Sequence, residues 1–391
     1  MFSGDRMYEF FKEQLDSKVK NHNLRTLKEY CPIDAVRVKR DDKEYLMMAS
    51  NNYLGLTFDP RVIEGAVKGA QQYGTGSGGS RLVSGTFPLF TELENALAKF
   101  KNTEKALVFN TGYMANVGTI SAIADKNTII FSDALNHASI IDGCRLSRGT
   151  VKAYSHCDVD ELKYLLKQVN RNARKLIVTD GVFSMDGDIA PLDKLYELSC
   201  DYNALVMVDD AHATGTIGNG HGTAAYFGLE KEIDIQLGTL SKSLGSVGGY
   251  VAANSTIIDY LVNTSRSFIF STALSPADIG AALGALQIID SDASILKGLQ
   301  DNVGYMSDRL NSMGIYATND TPIFPILIGK NEDTLAVSNY LYEAGIIGTA
   351  IRPPTVPVGE SRIRLTVTAA HSKTQIDYVC DTLYKAIKEL S

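Results

Sequence analysis

Four apolar runs in this sequence end on polar residues of kinds that do chemistry. Leu205-Val206-Met207-Val208 runs into Asp209-Asp210-Ala211-His212, and Leu176 to Thr179 runs into Asp180-Gly181-Val182-Phe183-Ser184. Thr128 to Phe131 leads to Asp133 and on to Asn136-His137, and Ile235 to Leu237 leads to Gly238-Thr239-Leu240-Ser241-Lys242. Singly, each polar residue reads as a satisfied cap or turn. Four together at the edge of one sheet read as a site, because ligands of parallel α/β sheets bind at the carboxyl ends of the strands. Lys242 is the most informative of them. Its neighbours Thr239, Ser241, Ser243 and Gly245 are not those of a solvated amphipathic helix, although a surface loop is the usual place for a lysine. A desolvated lysine amine gives up its proton more readily and attacks carbonyls. Together with a strand-end acid such as Asp209, it is what pyridoxal phosphate (PLP) chemistry asks for, the carboxylate keeping the pyridine nitrogen protonated. His212 can reach the ring's phenolic oxygen, and His137 can lie against the ring's face. A phosphate wants backbone N–H groups and hydroxyls at a helix start. Asn110-Thr111-Gly112-Tyr113-Met114-Ala115-Asn116 follows an apolar run and opens a helical pattern, which fits both that role and an ordinary strand-to-helix turn.

These residues need a scaffold, and the hydrophobic pattern predicts one. Residues 5–30 are polar with apolar positions at Tyr8, Phe11, Leu15 and Val19, the spacing of one helix face. Asp41-Asp42 marks a turn before the short run Tyr45 to Ala49. From about residue 60, helical stretches alternate with β-rich runs. Val62, Ile63, Ala66, Val67 and Ala70 predict a helix, as do Asp160 to Val169 and Asp193 to Tyr202. Ala106 to Phe109, Thr128 to Phe131, Leu176 to Thr179 and Leu205 to Val208 predict strands buried on both faces. The alternation predicts an α/β fold with a mostly parallel central sheet flanked by helices. Beyond about residue 290, helix, strand (Ile323 to Ile328), helix, strand (Arg362 to Thr368) and helix predict a smaller α+β domain. The expected organisation is an N-terminal helix and short strand over 1–50, a large domain over 51–290 and a small domain over 291–391.

Gly74-Thr75-Gly76-Ser77-Gly78-Gly79 satisfies the dinucleotide-binding spacing G-x-G-x-x-G. That fingerprint needs a strand before it and an acid ending a second strand about 20 residues later. Here a helical pattern precedes it, and the next acids, Glu92 and Glu94, sit in a helical stretch. The nicotinamide reading fails on context, and a loop in close backbone contact is expected instead.

Composition removes other classes. The chain has 391 residues, 45% hydrophobic and 21% charged, enough to bury a large core. Thirty-eight Lys plus Arg against 45 Asp plus Glu give a net charge of −7 without a basic block, which argues against a nucleic-acid surface or a polybasic membrane anchor. No apolar run approaches the roughly 18 residues of a spanning helix, and residues 1–20 lack the pattern of a signal peptide, so a cytoplasmic protein is expected. Cys31, Cys144, Cys157, Cys200 and Cys380 show neither a disulfide framework nor metal-ligand spacing, and no metal is expected. His221 and His371 are read as structural.

The quoted segments resemble the α-oxoamine synthases, a branch of the fold-type I PLP enzymes. The resemblance covers nearly the whole chain, from Asn51-Asn52-Tyr53-Leu54-Gly55-Leu56 to Ala369-Ala370-His371, through SDALNHASIIDG, TDGVFSMDGDIAPL, VMVDDAHATG and GTLSKSLG. It implies that Lys242 carries PLP, with Asp209 on the pyridine nitrogen, His212 on the phenolic oxygen and His137 stacked on the ring. It adds Ser184 and Thr239 as cofactor contacts and puts Gly112 and Tyr113 at the phosphate. It also implies a homodimer, with Ser271-Thr272 reaching the partner's phosphate. Arg364 matches the arginine that holds the amino-acid carboxylate, and a bidentate guanidinium suits that task. Asn51 and Thr355 match substrate-side positions. Arg362 is read as a salt-bridge residue on the opposite strand face from Arg364, and His156-Cys157-Asp158 as a surface turn. The implied reaction is a decarboxylative condensation of an amino acid with an acyl-CoA. Gly79-Ser80-Arg81-Leu82-Val83-Ser84-Gly85-Thr86 and Ala350 to Pro357 resemble the biotin-pathway branch, which joins L-alanine to pimeloyl-CoA. The middle of the chain also resembles the glycine acetyltransferases, and the serine palmitoyltransferases are a further branch. A catalytically silent PLP-fold binding protein has no need of Lys242, Asp209, His212, His137 and Arg364 together.

Overall fold

In the computed structural model, residues 4–21, 24–318 and 320–390 are described. The start of the N-terminal stretch read for a signal peptide, residues 1–3, lies outside them. Seven strands build the central sheet: Lys105–Phe109 (β1), Thr128–Asp133 (β2), Thr150–Tyr154 (β3), Arg174–Asp180 (β4), Leu205–Asp209 (β5), Ile235–Thr239 (β6) and Gly249–Ala253 (β7). Their spatial order is β1-β7-β6-β5-β4-β2-β3. Neighbours from β6 across to β3 run parallel, while β7 is antiparallel to both β6 and β1. Successive strand residues point to opposite faces, and both faces here are apolar and covered. Leu176 and Val178 of β4 pack with Ile120 and Ile140 on one side, whereas Ile177 packs with Phe131, Leu162 and Leu195 on the other. This is the expected α/β arrangement, a mostly parallel central sheet flanked by helices.

Two strands escaped the hydrophobic pattern. β7 is Gly-Tyr-Val-Ala-Ala, whose small residues give no β signal, yet all five are buried. Gly249 is needed there because a Cβ would lie 2.6 Å from the Gly112 nitrogen and the Thr111 backbone. β3 is an edge strand, mostly exposed and interrupted by Lys152, so it lacks an apolar run.

A second sheet pairs Ile323–Gly329, Ser361–Thr366 and Thr349–Ile351, all antiparallel, with helix Asn331–Glu343 against it and Lys373–Leu390 against that helix. The N-terminal strand Lys43–Met47 does not stand apart: it pairs in parallel with Ile346–Ile347, and Thr366 N–H donates to the Met48 carbonyl at 2.7 Å. That pairing sets Asn51 and Tyr53 beside Arg364. Arg362 and Arg364 are two residues apart on one strand and share a face, correcting the expectation of opposite faces. Both reach the same turn, Arg362 pairing with Asp186 and Glu360.

Gly74–Gly79 follows the helix Pro60–Tyr73, not a strand. Ser77 Oγ donates to the Ala273 carbonyl at 2.6 Å, and Ala273 N–H donates to the Gly79 carbonyl, tying the loop to the segment around Thr272. Beneath the sheet's carboxyl edge, fully buried Lys101 pairs with Asp210 at 2.7 Å. The helix Gly4–Lys20 forms where expected, but Tyr8, Phe11, Leu15 and Val19 are each at least half exposed within this chain. Among the described residues no single helix is long and apolar enough to cross a membrane.

Candidate active site

The carboxyl edge of the sheet gathers the strand-end residues into one cleft. β4 and β5 are in parallel register with Asp180 opposite Asp209, so two buried carboxylates stand side by side. Asp209 accepts from Asn116 Nδ2 at 2.6 Å and from Ala211 N–H at 2.9 Å. Burial pushes its pKa up, against the Asn116 hydrogen bond and the Lys242 charge. Asp180 accepts from the His137 N–H at 2.6 Å, and burial, then the neighbouring Asp209 charge, hold it well above the carboxylate range. Asn116 comes from the helix Gly112–Ile123 (α1), which Thr111 caps by accepting from Met114 N–H. Its Nδ2 also reaches Ser139 Oγ at 2.9 Å, while its Oδ1 is buried without a hydrogen-bond partner among the described residues.

Lys242 faces this carboxylate pair from the loop after β6. Burial lowers its pKa to about 8, opposed by Asp209 and Asp180 and assisted by Arg364. The side chain still has solvent contact, so the amine is both partly desolvated and reachable. Thr239, at the end of β6, is buried; its Oγ1 lies 2.7 Å from Ser241 Oγ and 2.8 Å from the Gly248 carbonyl. Gly112 packs against it: a Cβ on Gly112 would lie 3.3 Å from Thr239 Cβ. Tyr113, next in α1, is exposed and its hydroxyl bonds to Asp142. The exposed Thr272 pairs with Ser80 in an isolated bridge, and its carbonyl accepts from Asn110 Nδ2 beside the start of α1.

The imidazoles differ in kind. His137 caps the helix Ala138–Leu146, its Nδ1 2.7 Å from Ser139 Oγ and its ring exposed to the cleft. Its pKa is lowered by burial, with Asp209 opposing and Lys242 adding. His212 is buried, 2.6 Å from Tyr53 Oη through Nδ1, and burial plus the Lys242 and Arg364 charges hold its pKa well below the usual value. It is a neutral imidazole at pH 7.

Tyr53 joins His212 to the third group. Arg364, itself buried, donates through Nη2 to Tyr53 Oη at 3.4 Å and to Asn51 Oδ1 at 3.2 Å. Its Nε donates to the Ser184 carbonyl at 2.5 Å. Among the described residues Arg364 has no carboxylate partner, and Nη1 makes no hydrogen bond. Such a guanidinium, desolvated and without a counter-ion, is a receptor for an anion, with the N–H groups of Nη1 free to donate. Burial raises the Tyr53 hydroxyl to about 12, so it stays a neutral link.

The structure therefore brings together Lys242, Asp209, His137, His212, Ser184, Arg364 and Asn51, with Thr239, Gly112, Tyr113 and Thr272 towards the start of α1. It does not bring Thr355 to Arg364. Thr355 is exposed and lines a separate cavity with Gln14, Lys18 and Arg25. Three contributors went unassigned in the sequence: Tyr53, Asn116 and Asp180. Asp180 ended an apolar run as Asp209 did, a usable signal. Tyr53 and Asn116 had none, since their roles depend on partners 93 to 311 residues away. The turn at His156-Cys157 is not merely a surface feature either, for His156 bridges Asp133 and Asp188.

A family model for aminotransferase class I and II matches residues 43–383. An 8-amino-7-oxononanoate synthase from Lysinibacillus sphaericus is 46% identical over 386 residues, covering 98% of this chain and 99% of its own. The 8-amino-7-oxononanoate synthase 1 of Bacillus subtilis strain 168 is 43% identical over 385 residues, covering 98% of each. Among solved structures, a serine palmitoyltransferase variant from S. paucimobilis with a bound PLP–myriocin aldimine superposes with a TM-score of 0.93 at 30% identity, covering 100% of this chain and 99% of that one.

Proposed function

The chain belongs to the aminotransferase class I and II family, and from that premise we propose that it condenses L-alanine with pimeloyl-CoA, giving 8-amino-7-oxononanoate, CoA and carbon dioxide in biotin biosynthesis. The observation that carries the reaction class is one cleft holding an amine of lowered pKa, two buried carboxylates and an unpaired buried guanidinium. The acyl donor follows from the near full-length relatives, which at 43–46% identity outrank the serine palmitoyltransferase at 30%. Glycine acetyltransferase, which shares the middle of the chain, is the rival.

The residues fit PLP as cofactor. Burial and mutual repulsion oppose ionisation of the adjacent Asp180 and Asp209, and a protonated pyridine nitrogen held at Asp209 would supply the missing cation. Lys242 is the amine for the aldehyde, and His212 and His137 stand on the same cleft. Thr239 and the N-terminus of α1, where Gly112 leaves the backbone uncovered, suit the phosphate, with Ser184 and Tyr113 as further contacts. When bound, PLP supplies an aldehyde that captures amines and a ring that takes up the electron pair of a carbanion.

This chain's own groups do the rest. Arg364 binds the alanine carboxylate, steadied by Asn51, Tyr53 and the Ser184 carbonyl. Lys242 removes the α-proton as general base, at a pKa near the working pH where such a base is most effective. Asp209, kept from water, would hold the pyridine nitrogen of the cofactor through its carboxylate. His137 covers the cleft beside Lys242. The stripe Tyr8, Phe11, Leu15 and Val19, uncovered in one chain, supports a homodimer, in which Thr272 reaches the partner's phosphate and Thr355 faces substrate. A CoA-thioester substrate supports the cytoplasm as the site of action, with neither nucleic acid nor membrane as partner.

The test is release of free CoA thiol from L-alanine plus pimeloyl-CoA, run in parallel with glycine plus acetyl-CoA. Faster release with the first pair is expected. Faster release with the second would assign the chain to the glycine branch.

A further inference from the structure

A second cluster of chemistry lies outside the cleft, where the turn after β3 meets the turn that closes Phe183 to Asp188. His156 Nδ1 lies 3.1 Å from Asp133 Oδ1, and His156 Nε2 lies 2.7 Å from Asp188 Oδ2. Cys157 Sγ is 3.7 Å from the same Nε2 and 4.0 Å from the same Oδ2. The two carboxylates are not equivalent. Buried Asp133 is committed, accepting from Leu135 and Cys157 N–H groups at 2.8 Å each as well as from His156. Asp188 is half-exposed, and its Oδ1 is a buried atom with no hydrogen-bond partner among the described residues.

We propose that His156 Nε2, Cys157 Sγ and Asp188 Oδ2 form a binding site for a soft divalent cation of the zinc class, with a fourth position open to water. A tetrahedral centre with zinc-to-ligand bonds of roughly 2.0–2.3 Å puts its ligands about 3.3–3.8 Å apart. The three separations in the structure, 2.7, 3.7 and 4.0 Å, reach that spacing if the imidazole and the Asp188 carboxylate part by roughly half an ångström. The supporting shell is already in place. A metal-bound histidine commonly donates its other N–H to a carboxylate, which fixes the tautomer and strengthens the ligand, and Asp133 is so placed. His156 also abuts the Phe183 ring edge-on at 4.4 Å between centroids, which limits its rotation. The imidazole lies between the two carboxylates, within hydrogen-bond distance of each. Ligation needs Nε2 and Sγ free of protons, so binding of a divalent ion releases the protons they carry into solvent. Thiolate with imidazole selects zinc or cadmium over magnesium or calcium. The site is independent of the cleft chemistry, but Asp188 shares its turn with Ser184 and Asp186, the partners of Arg364 and Arg362.

The test uses untagged, chelator-stripped holoenzyme titrated with Cd²⁺, read by the ultraviolet thiolate-to-cadmium absorption as a difference spectrum. Retained Zn²⁺ is measured by metal analysis after equilibrium dialysis. One equivalent of either ion per chain is expected. Cys157→Asn is the decisive variant, since asparagine accepts the φ of 54° found at Cys157. It should lose the absorption band and weaken Zn²⁺ binding at least about 100-fold, the upper range for even a supporting residue. Cys200→Ser, at an exposed thiol elsewhere, should change neither. Asp133→Asn should weaken binding about 10- to 100-fold with the band retained. Failure of the wild-type holoenzyme to retain stoichiometric Zn²⁺ overturns the proposal, as does equal binding by Cys157→Asn.

Discussion

Replacing Arg364 by lysine keeps the charge and removes the fork. In the structure Nε is occupied by the Ser184 carbonyl at 2.5 Å and Nη2 by Asn51 and Tyr53, leaving the two N–H groups of Nη1 for substrate. A lysine ammonium cannot hold the Ser184 carbonyl and a carboxylate with the same geometry. At least one charge-assisted hydrogen bond to the substrate is lost, about 1.5–3 kcal/mol. At 1.36 kcal/mol per factor of ten, kcat/KM for L-alanine falls about 10- to 150-fold. The bond forms equally in the ground and transition states, so the loss should fall mainly on KM. The assay is CoA-thiol release with alanine varied at saturating pimeloyl-CoA, then the reverse. The KM for pimeloyl-CoA should stay within twofold, and thermal unfolding should report an intact fold. An alanine KM unchanged within twofold in the folded variant refutes the assignment of Arg364 as carboxylate receptor.

Tyr53→Phe leaves the buried Nδ1 of His212 without its partner, and unfolding in urea should show a loss of about 1–3 kcal/mol, with an alanine KM raised through the loosened Arg364. Lys101→Met strands the Asp210 carboxylate in the interior, and the same measurement should show a loss of about 3–5 kcal/mol; a loss below 1 kcal/mol would contradict the buried-pair reading. In the cofactor-free protein, burial has moved Lys242 from 10.5 to about 8, so protonation shuts the amine off below that pH and frees it above. The rate of PLP capture, trapped with borohydride at a series of pH values, should rise with pH and level off above about 8. A rate still climbing towards 10.5 would show an ordinary solvated lysine.

Much of this site was legible because it lies at strand ends. A strand buried on both faces is a dense apolar run, and the residue that ends it marks the sheet's carboxyl edge, which made Asp209, His212, Thr239 and Lys242 visible. Tyr53 was hidden because it sits in a loop with no periodicity and acts through Arg364, brought near by the pairing of Lys43–Met47 with Ile346–Ile347. β7 was hidden because three of its five residues are glycine or alanine, Gly249 having to approach the Thr111–Gly112 backbone closely. Arg362 was assigned the wrong face, an error of strand period, since residues two apart share a side. The cluster at His156 had no spacing to read: Asp188 comes from a different turn, and only the fold brings it to Cys157.

The most direct test of the central claim is the fate of labelled carbon. With L-alanine carrying ¹³C at the carboxyl and unlabelled pimeloyl-CoA, labelled carbon dioxide equal to the CoA released is expected, with a product of the mass of unlabelled 8-amino-7-oxononanoate. Both should vanish in Lys242→Ala. CoA release without labelled carbon dioxide, or undiminished condensation by Lys242→Ala, would contradict it.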